Sequence, residues 1–124
     1  MSEQKTMDKK LNGLGHFYGG GSLYRDFTGF VYSEGVKYIM ENGYAWFCSD
    51  MLAVMRFPPN FKVNPEYLYI IKLDVNIEKK TAKATIIDEN DDVIYEQFYN
   101  YTDAETDSIK LCFQNNTLCT LGER

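Results

Sequence analysis

Hydrophobic and polar positions divide the chain into a helical half and a strand half. The most apolar stretch runs from Phe30 to Phe57, FVYSEGVKYIMENGYAWFCSDMLAVMRF. Within it Val36, Ile39 and Met40 fall at i, i+3 and i+4, one face of a helix. Ser33 stands before them as an N-cap, and Glu34 occupies the first turn, where the helix dipole favours an acid. Asn42-Gly43 predicts an ending, because glycine takes the left-handed conformation that closes helices. A second helix is expected from about Tyr44 to Arg56. Phe47, Met51, Val54 and Met55 form its apolar stripe, and Trp46, Cys48 and Leu52 widen it towards full burial. Asp50 sits in the middle and requires a donor such as Arg25 or a tyrosine hydroxyl, or solvent. Pro58-Pro59 stops the helix.

After Pro65 the period changes to two. In Tyr67 to Ile77 the residues Ile71, Leu73, Val75 and Ile77 face one side, and Lys72, Asp74 and Asn76 the other, as in a strand with one buried face. Glu78-Lys79-Lys80 turns the chain into a second strand, Thr81 to Asp88. The polar run Glu89-Asn90-Asp91-Asp92 leads to a third, Val93 to Tyr101. Ile109, Leu111 and Phe113 alternate in a fourth. Asn115-Asn116 suits the positive φ angles of a tight hairpin turn, and Thr117 to Leu121 closes the sheet. The pattern predicts an α+β fold: two consecutive N-terminal helices packed on an antiparallel β-meander of about four to five strands. Residues 1–10 read as a flexible tail and 11–124 as a single α+β domain, with 11–30 available as a further edge strand.

The length of 124 residues fits one domain. Its net charge of −5 lacks the basic surplus that a general nucleic-acid binder needs. Solubility accounts for the acidity; so does a surface that mimics nucleic acid in the basic groove of another protein. The three cysteines include no CxxC pair, and His16 is the only histidine, so a structural zinc site is not expected. The start MSEQKTMDKK has no apolar core of a signal peptide, which points to the cytoplasm and to reduced thiols. If Asn115 and Asn116 form a two-residue loop, Cys112 and Cys119 stand opposite each other, so a bridge is geometrically open; in a cytosolic protein, two reduced thiols are the preferred reading. No apolar run approaches the roughly 18 residues of a membrane span.

Candidate chemistry is sparse. Gly19-Gly20-Gly21-Ser22 lacks the GK[ST] ending of a phosphate loop. His16, Ser22 and Asp26 have the residue types of a nucleophilic triad, but such triads are recognised by geometry rather than closeness in sequence. Asp88, Glu89, Asp91 and Asp92 cluster at one turn without the spacing of a calcium loop. No catalytic residue, metal or cofactor is expected. Of ten tyrosines and eight phenylalanines a core accounts for most, but the tyrosines exceed its needs because each hydroxyl must be satisfied, and tyrosine-rich surfaces suit protein contacts.

Tyr24-Arg25, Val31-Tyr32-Ser33-Glu34-Gly35-Val36-Lys37-Tyr38-Ile39, Tyr44-Ala45-Trp46-Phe47 with Asp50, and Tyr101-Thr102-Asp103 before Ile109-Lys110-Leu111 form a pattern. It resembles that of a family of small uncharacterised domains of bacteria, phages and mobile elements, marked by YRH, VYTDGVKYL and AYWL…D motifs. Asp26 stands where that family has its histidine, and the glycine run before Tyr24 is longer. The resemblance implies a phage or mobile-element accessory protein that inhibits a host defence system, in the manner of anti-CRISPR proteins.

The expectation that follows is a non-catalytic binding protein that occludes a protein surface. Its partner would be a basic nucleic-acid-handling defence protein, with no direct contact to nucleic acid or membrane. The contact residues would be Asp88, Glu89, Asp91, Asp92, Tyr67 and Tyr69. The alternative is a nucleotide-like small-ligand binder or enzyme using His16, Tyr18, Ser22, Tyr24 and Arg25, with arginine on the anion and tyrosines stacking on a base. A homodimer is compatible with either.

Overall fold

The computed structural model describes residues 23–104, 106 and 108–123. The expected tail and His16, Tyr18 and Ser22 lie outside these residues. In chain order the elements are β1 (Leu23–Arg25), β2 (Val31–Ser33), α1 (Glu34–Ile39), a π-helical turn (Met40–Tyr44), α2 (Ala45–Arg56), β3 (Tyr69–Asn76), β4 (Thr81–Ile87), β5 (Val93–Tyr99), β6 (Ser108–Gln114), β7 (Thr117–Thr120) and a closing 3-10 turn (Leu121–Glu123).

Two expectations about the fold are overturned. The helical part is one kinked stretch over 34–56, not two separate helices. Asn42 and Gly43 leave helical geometry (Gly43 φ +103°), but the chain re-enters a helix at once, so the break is a bend. Asn42 Nδ2 donates to the Tyr38 carbonyl and Trp46 Nε1 to the Gly43 carbonyl, which ties the bend to both sides.

The sheet is also not a short meander. Among the described residues it has seven strands in the order β1-β2-β7-β6-β3-β4-β5. Every neighbouring pair is antiparallel except β2 with β7, which is parallel. After β5 the chain crosses the end of the sheet, so β6 pairs with the other side of β3. The crossing is pinned where Thr102 N–H donates to the Lys80 carbonyl (2.8 Å) and Thr106 N–H to the Tyr44 hydroxyl (3.2 Å). Burial gives the reason for this order. β3 and β6 carry Tyr69, Ile71, Leu73, Ile109, Leu111 and Phe113, all in the core, and side by side they cover each other's edges. β5 contributes no residue to the buried set and takes the rim.

The helical stretch lies on one face. Val36, Ile39, Phe47, Cys48, Met51, Leu52 and Met55 pack with the strand residues Ile71, Leu73, Ala84, Ile86, Leu111 and Leu118 in one cluster. Each large side chain fully buried in this way contributes about 1.5–3 kcal/mol. At the start of α1, Ser33 Oγ accepts from Val36 N–H as the cap. A second acceptor arrives from the far end of the chain. The Glu123 carboxylate accepts from the Ser33 hydroxyl, from Gly35 N–H (3.0 Å), and from both Thr120 N–H (2.9 Å) and Thr120 Oγ1 (2.8 Å). It thereby joins β7 to the helix N-terminus, where a negative charge is favourable.

Candidate interaction surface

The β4–β5 turn is held by its own aspartate. Asp88 Oδ1 accepts from Asn90 N–H (2.9 Å) and Asp92 N–H (3.0 Å), and Asp88 N–H donates to the Asp92 carbonyl. Asp91 takes a positive φ of 63°, a conformation that aspartate tolerates better than most residues. Glu89 reaches across to accept from Leu68 N–H (3.0 Å), which fastens the turn to the segment before β3. Glu66 and Tyr67 therefore stand beside Asp88, Glu89, Asp91 and Asp92. Glu66, Glu89, Asp91, Asp92 and Tyr67 are exposed and Asp88 is half-buried. The only ion pair among the described residues is Lys83 with Glu96, so none of these carboxylates is neutralised by a described neighbour.

Tyr69 does not belong to this surface. It is 2% exposed, because odd-numbered residues of β3 face the helix, and its hydroxyl accepts from Asn64 N–H. Buried so, it offers a partner no side-chain contact, contrary to the expectation from sequence.

The acidic turn leads directly into β5, the rim of the sheet. Among the described residues nothing pairs with the outer edge of β5. In a strand, alternate residues turn their N–H and C=O groups to opposite sides, so this edge presents a row of donors and acceptors to whatever lies beyond it. Val93 (54%) and Phe98 (70%) are exposed along it. A cleft of about 390 Å³ runs between Pro59-Asn60 and Val93 to Glu96, beside the acidic turn. Phe61 supports its floor by packing on Tyr95, with ring centroids 6.3 Å apart. At the inner face of β5, Tyr99 donates to Asp50 Oδ2 (2.9 Å) and stacks edge-on with Trp46 at 4.8 Å, which fixes the strand to α2. Asp50 thus obtains its donor from a tyrosine hydroxyl. Burial and the adjoining Asp50 carboxylate both raise the Tyr99 phenol above its ordinary pKa.

The sequence missed this edge. The available signal was the composition of β5: Glu96 and Gln97 adjoin Phe98 and Tyr99 with no run of buried aliphatics, which suits a rim better than a centre.

The alternative ligand residues are only partly described. Tyr24 and Arg25 lie on β1, at the opposite rim. Tyr24 stacks on Tyr32 at 5.7 Å, and the Lys37 ammonium lies 4.5 Å from its ring centroid. Arg25 donates to the Gly29 carbonyl (2.8 Å) and braces the β1–β2 turn. Among the described residues no three Cys, His, Asp or Glu side chains stand close enough to hold a metal ion. No described helix is long and apolar enough to cross a membrane.

Among the described residues, two groups besides Tyr99 are displaced from their ordinary pKa. Burial pushes the Cys48 thiol up to about 12. Glu123 is pulled both ways: burial raises it, but the hydrogen bonds from Ser33, Thr120 and Gly35 prevail and hold it below the usual carboxylate value. All three are accounted for by packing and anchoring.

No curated protein and no solved structure matches the chain. A family model described as a family of unknown function, DUF6876, matches residues 8–124, which takes in every element described above. Over that length the chain belongs to the DUF6876 family.

Proposed function

We propose that this domain is a non-catalytic binding protein that captures an extended segment of a basic protein along the outer edge of β5. The carrying observation is that edge itself: a seven-residue strand, Val93–Tyr99, with no described neighbour on one side. An added strand gains main-chain hydrogen bonds, while pockets beside the edge select its side chains. The cleft between Pro59-Asn60 and Val93 to Glu96 supplies such a pocket. Glu66, Asp88, Glu89, Asp91 and Asp92 give the near end of the edge a negative field, which favours lysine or arginine on the incoming chain and speeds its encounter. A partner that handles nucleic acid has a basic surface of the required sign. Blocking such a surface is how a phage or mobile-element protein would inhibit a host defence system.

The test is native mass spectrometry of the tagged protein recovered from lysate of a defence-bearing bacterium, repeated with two kinds of variant. The expected catch is a complex with a basic protein. Of the adjacent residues Gln97 and Phe98, one points its N–H away from β4, so proline there removes an outward donor and spares the fold. That proline should release the partner, and Glu66→Lys with Asp92→Lys should weaken the complex most at low salt. A complex indifferent to both changes, or a small-molecule adduct in place of a protein, would refute the reading.

A further inference from the structure

We propose that Cys112 and Cys119 form a dithiol site that exchanges with low-molecular-weight disulfides of the glutathione class and closes to a reversible disulfide across the β6–β7 hairpin. The hairpin turn sets the pair. Asn115 and Asn116 take φ of 55° and 60°, the two positive angles of a two-residue turn. The register from that turn is Gln114 with Thr117, Phe113 with Leu118, and Cys112 with Cys119. Directly opposed residues have Cα atoms about 4.5–5.5 Å apart, inside the range of about 4.4–6.8 Å that a disulfide spans. The two sulfurs are 2.9 Å apart on one face of the sheet. Closing to a covalent bond of about 2.05 Å requires side-chain rotation without backbone travel.

The two thiols are not equivalent, and the difference assigns their roles. Cys119 is half-exposed, whereas Cys112 is fully buried. The Cys112 thiol lies 3.5 Å from the Cys119 carbonyl oxygen and 3.6 Å from that of Thr120. Cys112 and Cys119 help to line a groove of about 310 Å³ with Leu68, Gln114, Asn115 and Thr117, and the half-exposed Cys119 is where a small disulfide approaches. Cys119 is therefore the attacking thiol and Cys112 the resolving one.

The steps balance. The Cys119 thiolate attacks one sulfur of R–S–S–R, forms a mixed disulfide and releases R–S⁻. Cys112 gives up its proton as it attacks the Cys119 sulfur, which displaces the second R–S⁻. The two thiol protons end on the two released thiolates. The protein dithiol is oxidised and one R–S–S–R is reduced to two R–SH. Cys48, 0% exposed inside α2, takes no part.

The experiment is intact mass and peptide mapping of the folded protein after incubation with glutathione disulfide, then with dithiothreitol. The wild type should lose two hydrogen masses, yield a Cys112–Cys119 cross-linked peptide, and return to its starting mass on reduction. Cys112→Ser should accumulate a single glutathione adduct at Cys119, and Cys48→Ser should behave as the wild type. The wild-type result stands alone if a variant does not fold. A stable glutathione adduct on the wild type overturns the proposal, as does a chain that stays reduced when folded but oxidises in denaturant, or a disulfide formed between two molecules.

Discussion

Replacing Glu123 with glutamine tests whether the chain end is tied to the helix as the geometry requires. The carboxylate accepts four hydrogen bonds, from Ser33, Gly35 and twice from Thr120. In the isosteric amide one oxygen becomes NH2. With the remaining oxygen facing Ser33 and Thr120, that NH2 faces the Gly35 N–H, donor against donor. One charge-assisted bond, worth about 1.5–3 kcal/mol, is then lost. The other bonds become neutral ones of roughly half the strength. Even at the low end of these ranges the losses together come to about 4 kcal/mol, a large share of the roughly 5–15 kcal/mol that holds a domain folded. Urea unfolding followed by fluorescence of the single tryptophan, Trp46, reads it directly. The pH dependence provides a second check. The folded-state pKa of Glu123 is depressed, so its contribution is complete above the ordinary glutamate value of about 4.3 and is lost as pH falls through the folded value. The gap between wild type and E123Q should be constant from neutral pH to about 5 and close in stronger acid. Gly35→Ala should act on the same bonds, since its Cβ would lie 2.6 Å from Glu123 Oε1. Combined with Glu123→Ala it should therefore cost less than the two single changes added together. A loss below about 1 kcal/mol for E123Q, too small for one charge-assisted bond, would refute the account, as would a gap that persists in acid.

Gly43→Ala should lower stability by about 1–2 kcal/mol in thermal unfolding; with no atom within 4 Å of the new Cβ, the cost is that of φ +103° alone. Tyr99→Phe, which removes a hydrogen bond to a carboxylate, should cost about 1.5–3 kcal/mol in urea unfolding, with the Trp46 ring contact retained. Because the Tyr99 pKa is raised, that difference should hold below about pH 10 and vanish as pH rises through the folded value. Asn116→Gly should raise the melting temperature, since φ of 60° favours glycine, by an amount equivalent to roughly 0.5 kcal/mol.

Local features were legible because their causes are local. Ser33 caps α1 since a hydroxyl before an apolar run meets the open N–H groups of the first turn. Gly43 takes a positive φ because it alone there lacks a Cβ, and Asn115-Asn116 makes the hairpin turn that places Cys112 opposite Cys119. Alternation in Tyr69–Asn76 and Ser108–Gln114 named the faces that enter the core. The period of a strand, however, says nothing about its neighbour. Order along the chain suggests a meander, while the structure sets β6 beside β3, the two strands that carry the bulkiest core side chains, and leaves β5 outside. That choice created the open edge, and it depends on burial summed over the whole sheet. Tyr67 and Tyr69 look alike in sequence and share a parity, but β3 begins only at Tyr69, so Tyr69 enters the core while Tyr67, in the bend before the strand, stays in solvent. Glu123 carried no signal at all. Its partners Ser33 and Gly35 lie about ninety residues away in sequence, and only the parallel pairing of β2 with β7 brings the chain end to the helix N-terminus.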